Sequence, residues 1–159
     1  MIQITESTIG EAEAIRSLAR LEPLFTPDEA AVVEELLTDY LEREDHNGYF
    51  FLSATHDGEL IGFTCYGPTP MTQGTFDLYW IAVASAWKGK GVGRELMSAV
   101  DERVRALNGR LLVLDTSGRA DYAGTRAFYE RLGFHRTGTI PDFYAEGDDL
   151  VIYTRLLSS

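Results

Sequence analysis

The chain has 159 residues, 45% hydrophobic and 25% charged, a composition that suits one globular domain over residues 1–159 and excludes a low-complexity or fibrous chain. Its formal net charge of −11 argues against a nucleic-acid footprint. No apolar run reaches the roughly 20 residues of a membrane helix, so no membrane partner is expected.

Ile2 and Ile4 alternate with polar neighbours over residues 1–6, a short strand; no basic region precedes them, so no signal peptide is expected. A helical pattern follows over 10–21, with Ala14, Ile15, Leu18 and Leu21 on one face, and Pro23 ends it. Thr26-Pro27-Asp28-Glu29 reads as a helix start, with Thr26 as cap, Pro27 in the first position and Glu29 closing a capping box. Val33, Leu36, Leu37, Tyr40 and Leu41 then share a face, and the helix is expected to run to about residue 45. Residues 49–55 and 59–66 read as strands joined by a hairpin at His56-Asp57-Gly58.

Residues 75–83 form the next strand, Thr75-Phe76-Asp77-Leu78-Tyr79-Trp80-Ile81-Ala82-Val83. A glycine loop follows, Trp87-Lys88-Gly89-Lys90-Gly91-Val92-Gly93-Arg94. Lys88 and Lys90 are the two lysines of the chain. A helix then carries Val92, Leu96, Val100, Val104 and Leu107 and ends at Asn108-Gly109. The apolar run 110–116 predicts a strand covered on both faces. Residues 121–132 predict a helix with Thr125, Phe128, Tyr129 and Leu132 inward and Gly133 at its end. Two last strands, 134–139 and 149–157, are joined by a loop over 141–149. The order β-α-α-β-β-β-loop-α-β-α-β-β defines an α/β (α+β) domain with one parallel crossover over 75–116.

Glycine lets the backbone approach an anion, and the first N–H groups of a helix point the same way. On spacing alone the stretch reads as an anion-binding loop or as a solvated turn. The spacing matches neither the NTPase P-loop nor GxGxxG. The negative excess lies entirely in residues 1–60, a cation-attracting or a solubilising face. Cys65 stands alone in an apolar strand, which fits a buried structural thiol and a cytoplasmic setting. His46, His56 and His135 are scattered, and no metal site is expected.

Lys88-Gly89-Lys90-Gly91-Val92-Gly93, with Phe128-Tyr129-Glu130-Arg131-Leu132-Gly133-Phe134 downstream, resembles the GNAT acetyltransferase superfamily. Lys88 stands where that family has Gln or Arg, and Tyr122 replaces an Asn often found seven residues before the helix tyrosine. The resemblance implies a single GNAT-like domain. Its mixed, mostly antiparallel sheet has about seven strands, is flanked by about four helices, and splays at the strand before the glycine loop. It implies acetyl-CoA as co-substrate, with Ile81, Ala82, Val83, Lys88, Gly89, Lys90, Gly91, Val92, Gly93 and Arg94 binding it, and no metal. It implies Tyr129 as the group that stabilises or protonates the departing thiolate. Asp77 is the candidate base, with a solvated strand-end role as its rival. Tyr79 and Tyr144 are candidate substrate contacts, and Asp148 is a weaker one. The implied activity is acetyl transfer to a primary amine, of a small molecule or a peptide N-terminus, by direct attack. The alternative is a non-catalytic acyl-CoA-binding or sensor domain. Family members often form homodimers.

Overall fold

The computed structural model describes residues 1–23 and 25–157. Its strands are β1 (Gln3–Glu6), β2 (Phe50–His56), β3 (Glu59–Pro68), β4 (Thr75–Val83), β5 (Leu111–Ser117), β6 (His135–Ala145) and β7 (Asp148–Leu156). Its α-helices are α1 (Ala12–Leu21), α2 (Pro27–Glu42), α3 (Val92–Ala106) and α4 (Ala123–Arg131). The strands are hydrogen-bonded in the order β1-β2-β3-β4-β5-β7-β6. The element order matches the sequence expectation. The chain divides into two compact units, residues 1–68 with 78–103 and residues 69–77 with 104–159.

The first unit contains α1, α2, most of α3 and the antiparallel strands β1, β2 and β3. Asp57 (φ 49°) and Gly58 (φ 80°) form the two-residue turn between His56 and Glu59, with the right-handed twist that a primed turn matches. The Thr26 side chain accepts from the Glu29 N–H at 3.1 Å, and Glu29 reaches back to the Thr26 N–H, so the capping box at α2 is formed. Ala12, Ile15 and Ala19 of α1 pack with Val33, Leu37 and Tyr40 of α2 and with Phe51, Phe63, Cys65 and Ala82. This stripe differs from the expected one, because Ala14 and Leu21 are exposed. Two alanines at a helical spacing permit close helix approach, and side-chain size misled the sequence reading. α2 also stops at Glu42, short of the expected residue 45.

Val92, Leu96 and Val100 are buried on α3. A Cβ on Gly62 would stand 3.0 Å from the Ala82 carbonyl and 3.1 Å from Val92, so glycine lets β3 receive α3 at close range. Cys65 is fully buried, and that burial pushes its thiol pKa well up. Burial likewise raises Tyr66 to about 12, with Arg103 opposing and Glu6 adding to the rise. A raised folded pKa gives stability that is complete below the unfolded value of about 10 and lost as the pH climbs through the folded one. Melting temperature is therefore expected to fall between about pH 10 and 12, by less in Tyr66→Phe. An equal fall in both proteins would remove Tyr66 from alkaline unfolding.

In the second unit, β4 pairs in parallel with β5 over Thr75–Asp77 and Leu111–Val113. β7 is antiparallel to both β5 and β6. Asn108 takes φ 62°, and the Gly109 N–H returns to the Val104 carbonyl at 2.8 Å, which ends α3 and leaves Leu107 exposed. Gly133 (φ 90°) ends α4, with the Phe134 N–H bonded to the Tyr129 carbonyl. One expectation is corrected. β6 runs on to Ala145, and the supposed loop over 141–149 contracts to a turn at Glu146-Gly147. The Asp142 carboxylate accepts from the Gly147 N–H at 2.8 Å, and the Asp149 carboxylate accepts from the Asp142 N–H at 2.9 Å. These bonds hold an irregular strand end that composition had marked as loop.

Candidate active site

Within the first unit, β4 delivers the chain to the glycine loop. The Ala84 N–H donates to the Ile61 carbonyl at 2.8 Å and fixes the exit from the strand. A single 3-10 turn, Ser85–Trp87, follows and closes with Trp87 N–H to Ala84 carbonyl. Gly89 (φ 77°) and Gly91 (φ 87°) then adopt backbone angles that side chains disfavour. A Cβ at either position would meet nothing within 4 Å, so both glycines face open space. The first helical bond is Glu95 N–H to Gly91 carbonyl, 3.0 Å. Val92, Gly93 and Arg94 open α3, where the first N–H groups of a helix have no intrahelical acceptor. They lie at the positive end of α3, the arrangement that receives phosphate.

The three cations of the loop are deployed differently. Lys88 lies 3.3 Å from both carboxylate oxygens of Glu22, a residue only 8% exposed. Lys90 stands over the Trp87 ring, 5.4 Å from its centroid. Arg94 is exposed on the first turn of α3, and its guanidinium has no partner among the described residues. Ala82 is buried, whereas Ile81 and Val83 are half-buried. Tyr79 packs edge-on against Tyr49 at 5.4 Å, and Phe25 packs edge-on against Trp80 at 5.1 Å.

Within the second unit, Asp77 accepts from the Thr69 hydroxyl at 2.8 Å. It pairs in register with Val113, so the strand repeat sets Asp115 diagonally across on the same face. Asp115 is exposed as a residue, yet its carboxyl is raised above its ordinary pKa, first by loss of water around it and then by the Asp77 charge. A raised folded pKa makes the ionised carboxylate a cost to folding above its unfolded value. Asp115→Asn should therefore raise the melting temperature at pH 7 and converge with the parent near about pH 3. Equal shifts at both pH values would rule out that cost.

Tyr129 is buried on α4 among Phe128, Phe134 and Tyr153, with ring centroids 5.6, 5.9 and 6.3 Å away. Burial drives its pKa far above the ordinary phenol value, so the hydroxyl stays a proton-bearing donor. That hydroxyl has no hydrogen-bond partner among the described residues. Tyr122, at the position of the family's Asn, starts α4, and the Arg119 guanidinium lies 5.8 Å from its ring centroid. Tyr144 is 48% exposed and meets Phe143 edge-on. Asp148 is engaged by the Ser117 hydroxyl and approached by Arg119 at 3.9 Å, a tie between β5 and β7.

Residues 13–134 match the sequence model of the acetyltransferase (GNAT) family. The chain belongs to this family. The expected family and fold class are borne out. An 85-residue stretch is 38% identical to the 5-NmdU N-acetyltransferase of Pseudomonas phage PaMx11, covering 54% of this chain. The chain spans only 56% of that relative's own length. A crystal structure of a protein assigned to the GNAT family as an acetyltransferase, from Desulfovibrio desulfuricans, is 42% identical, with a TM-score of 0.95 over 99% of this chain and 100% of that one. An aminoglycoside 6'-N-acetyltransferase complexed with coenzyme A shares the fold, at 18% identity and a TM-score of 0.79 over 99% and 98% of the two chains.

Among the described residues, no group of three or more His, Cys, Asp or Glu is placed to hold a metal, and no helix is long and apolar enough to cross a membrane. The sequence reading missed two carboxylates of this GNAT chain. Asp115 was within reach, by carrying the strand repeat of β5 past the Asp77 register. Glu22 carried no local signal, because its significance comes from a lysine 66 positions away.

Proposed function

We propose that this chain, as a single domain, transfers an acetyl group from acetyl-CoA to a primary amine by direct attack. The glycine turn carries the reading. It combines the first N–H groups of α3 at Val92, Gly93 and Arg94, positive φ at Gly89 and Gly91, and two cations, Lys90 and Arg94. A pyrophosphate is the part of acetyl-CoA that such a turn fits.

The amine nitrogen attacks the thioester carbonyl carbon, the carbon–sulfur bond breaks, the sulfur leaves with the electron pair, and the nitrogen releases a proton to solvent to give the neutral amide. Only a neutral amine can attack, so the ammonium first gives up a proton. Asp77 is the proposed acceptor, through water. Tyr129 donates a hydrogen bond to the leaving sulfur. Full proton transfer is disfavoured, because a phenol raised above about 10 is a weaker acid than a thiol near 8.5. Solvent then completes the protonation. Ile81, Ala82 and Val83 offer backbone to the pantetheine arm, and Tyr79 and Tyr144 contact the acceptor. The acceptor is a small-molecule amine or a peptide N-terminus, in line with the aminoglycoside named for the enzyme that shares this fold. A cytoplasmic setting belongs to the same proposal, supported by the lone buried thiol of Cys65.

The test is acetyl-CoA incubated with a panel of polyamines, amino acids, aminoglycosides and N-terminal peptides, with release of free CoA thiol as the readout. Release that depends on one acceptor class supports the proposal. Binding of acetyl-CoA with no release for any acceptor would leave a non-catalytic acyl-CoA-binding domain.

A further inference from the structure

Lys88 stands at the head of the glycine loop, where a phosphate-binding cation is expected, yet its ammonium bridges both oxygens of Glu22 at 3.3 Å. The two partners differ in exposure. The Glu22 side chain is 7% exposed and that of Lys88 is 47% exposed. A buried carboxylate depends on its counter-charge far more than an exposed ammonium does, because water cannot replace the missing partner. Turning Lys88 towards phosphate would take a counter-charge from Glu22 and add phosphate charges beside it. Both changes are unfavourable. Lys90 and Arg94 carry no such obligation. Lys90 rests on the face of Trp87, an interaction that leaves its ammonium open to a second anion, and Arg94 has no partner among the described residues.

Glu22 also begins the connection between α1 and α2, and the Phe25 N–H closes on its carbonyl at 3.1 Å. Phe25 in turn packs on Trp80 of β4, the strand that leads into the loop. The connection is thus held at both ends of one stretch of chain, by an aromatic contact before the loop and by an ion pair within it.

We propose that Glu22 and Lys88 form a positioning pair that sets the glycine loop, and that the phosphate charge of acetyl-CoA is met by Lys90 and Arg94. The inference rests on the acetyl-CoA reading above. It makes Glu22 a residue for donor binding although it touches no donor, and it takes Lys88 out of the set of direct phosphate ligands.

The sign of one substitution separates this from direct phosphate binding by Lys88. A Lys88 that shuttles between Glu22 and phosphate would be released by Glu22→Gln, and acetyl-CoA would bind more tightly. A positioning pair predicts the opposite. Acetyl-CoA dissociation constants are measured by calorimetry at several salt concentrations, alongside melting temperatures, for the parent, Glu22→Gln, Lys88→Gln, Glu22→Gln/Lys88→Gln and Lys90→Ala/Arg94→Ala. The expected result is about tenfold weaker binding in Lys88→Gln, where the buried Glu22 carboxylate loses a counter-charge, and a smaller loss of the same sign in Glu22→Gln, where the loop loses its tie but the released ammonium is exposed. Most affinity and melting temperature should return in the double neutral variant. The salt dependence of binding should persist in all three and flatten in Lys90→Ala/Arg94→Ala. Tighter or unchanged binding in Glu22→Gln overturns the inference. So does a flattened salt dependence in Lys88→Gln that Glu22→Gln does not restore. Absence of acetyl-CoA binding in the parent protein overturns the donor assignment itself, which is a distinct result from either.

Discussion

Replacing Gly89 and Gly91 together by valine is expected to weaken acetyl-CoA binding by at least about 30-fold, taking roughly 1–3 kcal/mol of backbone strain at each site and a factor of about ten per 1.4 kcal/mol. The two residues sit at φ 77° and 87°, where a β-branched side chain is strongly disfavoured. Neither added Cβ would strike a neighbour, so the loss cannot be assigned to overpacking. The free loop relieves the strain by leaving these angles, and restoring the N–H groups to the ligand then costs affinity. α3 itself should persist, because Val92, Leu96 and Val100 anchor it in the core. Circular dichroism should therefore change little while calorimetric binding collapses. A double valine variant that binds acetyl-CoA as the parent does would refute the loop as the pyrophosphate site.

Tyr129→Phe is expected to lower kcat by about 10- to 150-fold, the worth of one hydrogen bond to a developing charge, about 1.5–3 kcal/mol. The acetyl-CoA dissociation constant should stay within about twofold, since that bond strengthens only as sulfur gains charge. Phenylalanine keeps the contacts with Phe128, Phe134 and Tyr153, so stability should be close to that of the parent. Because burial holds the phenol above its usual range, Tyr129 adds no falling limb to the parent's pH–rate profile below about pH 10. Equal loss in kcat and in acetyl-CoA affinity would assign Tyr129 to packing.

Much of this was legible in the residues. Thr26-Pro27-Asp28-Glu29, Asp57-Gly58 and Asn108-Gly109 each carry turn or cap chemistry, and each folds as that chemistry requires. The glycine loop was legible for the same reason, since positive φ at Gly89 and Gly91 is a local property. What escaped was set by distant partners. The strand character of Phe143-Tyr144-Ala145 depends on pairing that closes at Asp148, and on two aspartates that hold a turn several residues away. The buried stripe of α1 was decided by Ala12 and Ala19, whose value lies in what they admit. Glu22 matters through Lys88, a relation with no periodicity to read, whereas Asp115 follows from the strand repeat once the register of Asp77 with Val113 is known.

The scarcity of lysine gives the glycine loop a further property. With two ε-amines in the chain, both in this loop, an amine-directed reagent has no other lysine to modify. One amine is engaged by a carboxylate and the other lies open over an indole ring. The extent and order of labelling at these two positions therefore make a footprint of the loop without any engineered tag, and a ligand seated there would announce itself as protection. The same arrangement leaves the loop as the one lysine-bearing surface exposed to spontaneous acylation by a reactive thioester, including any that binds it.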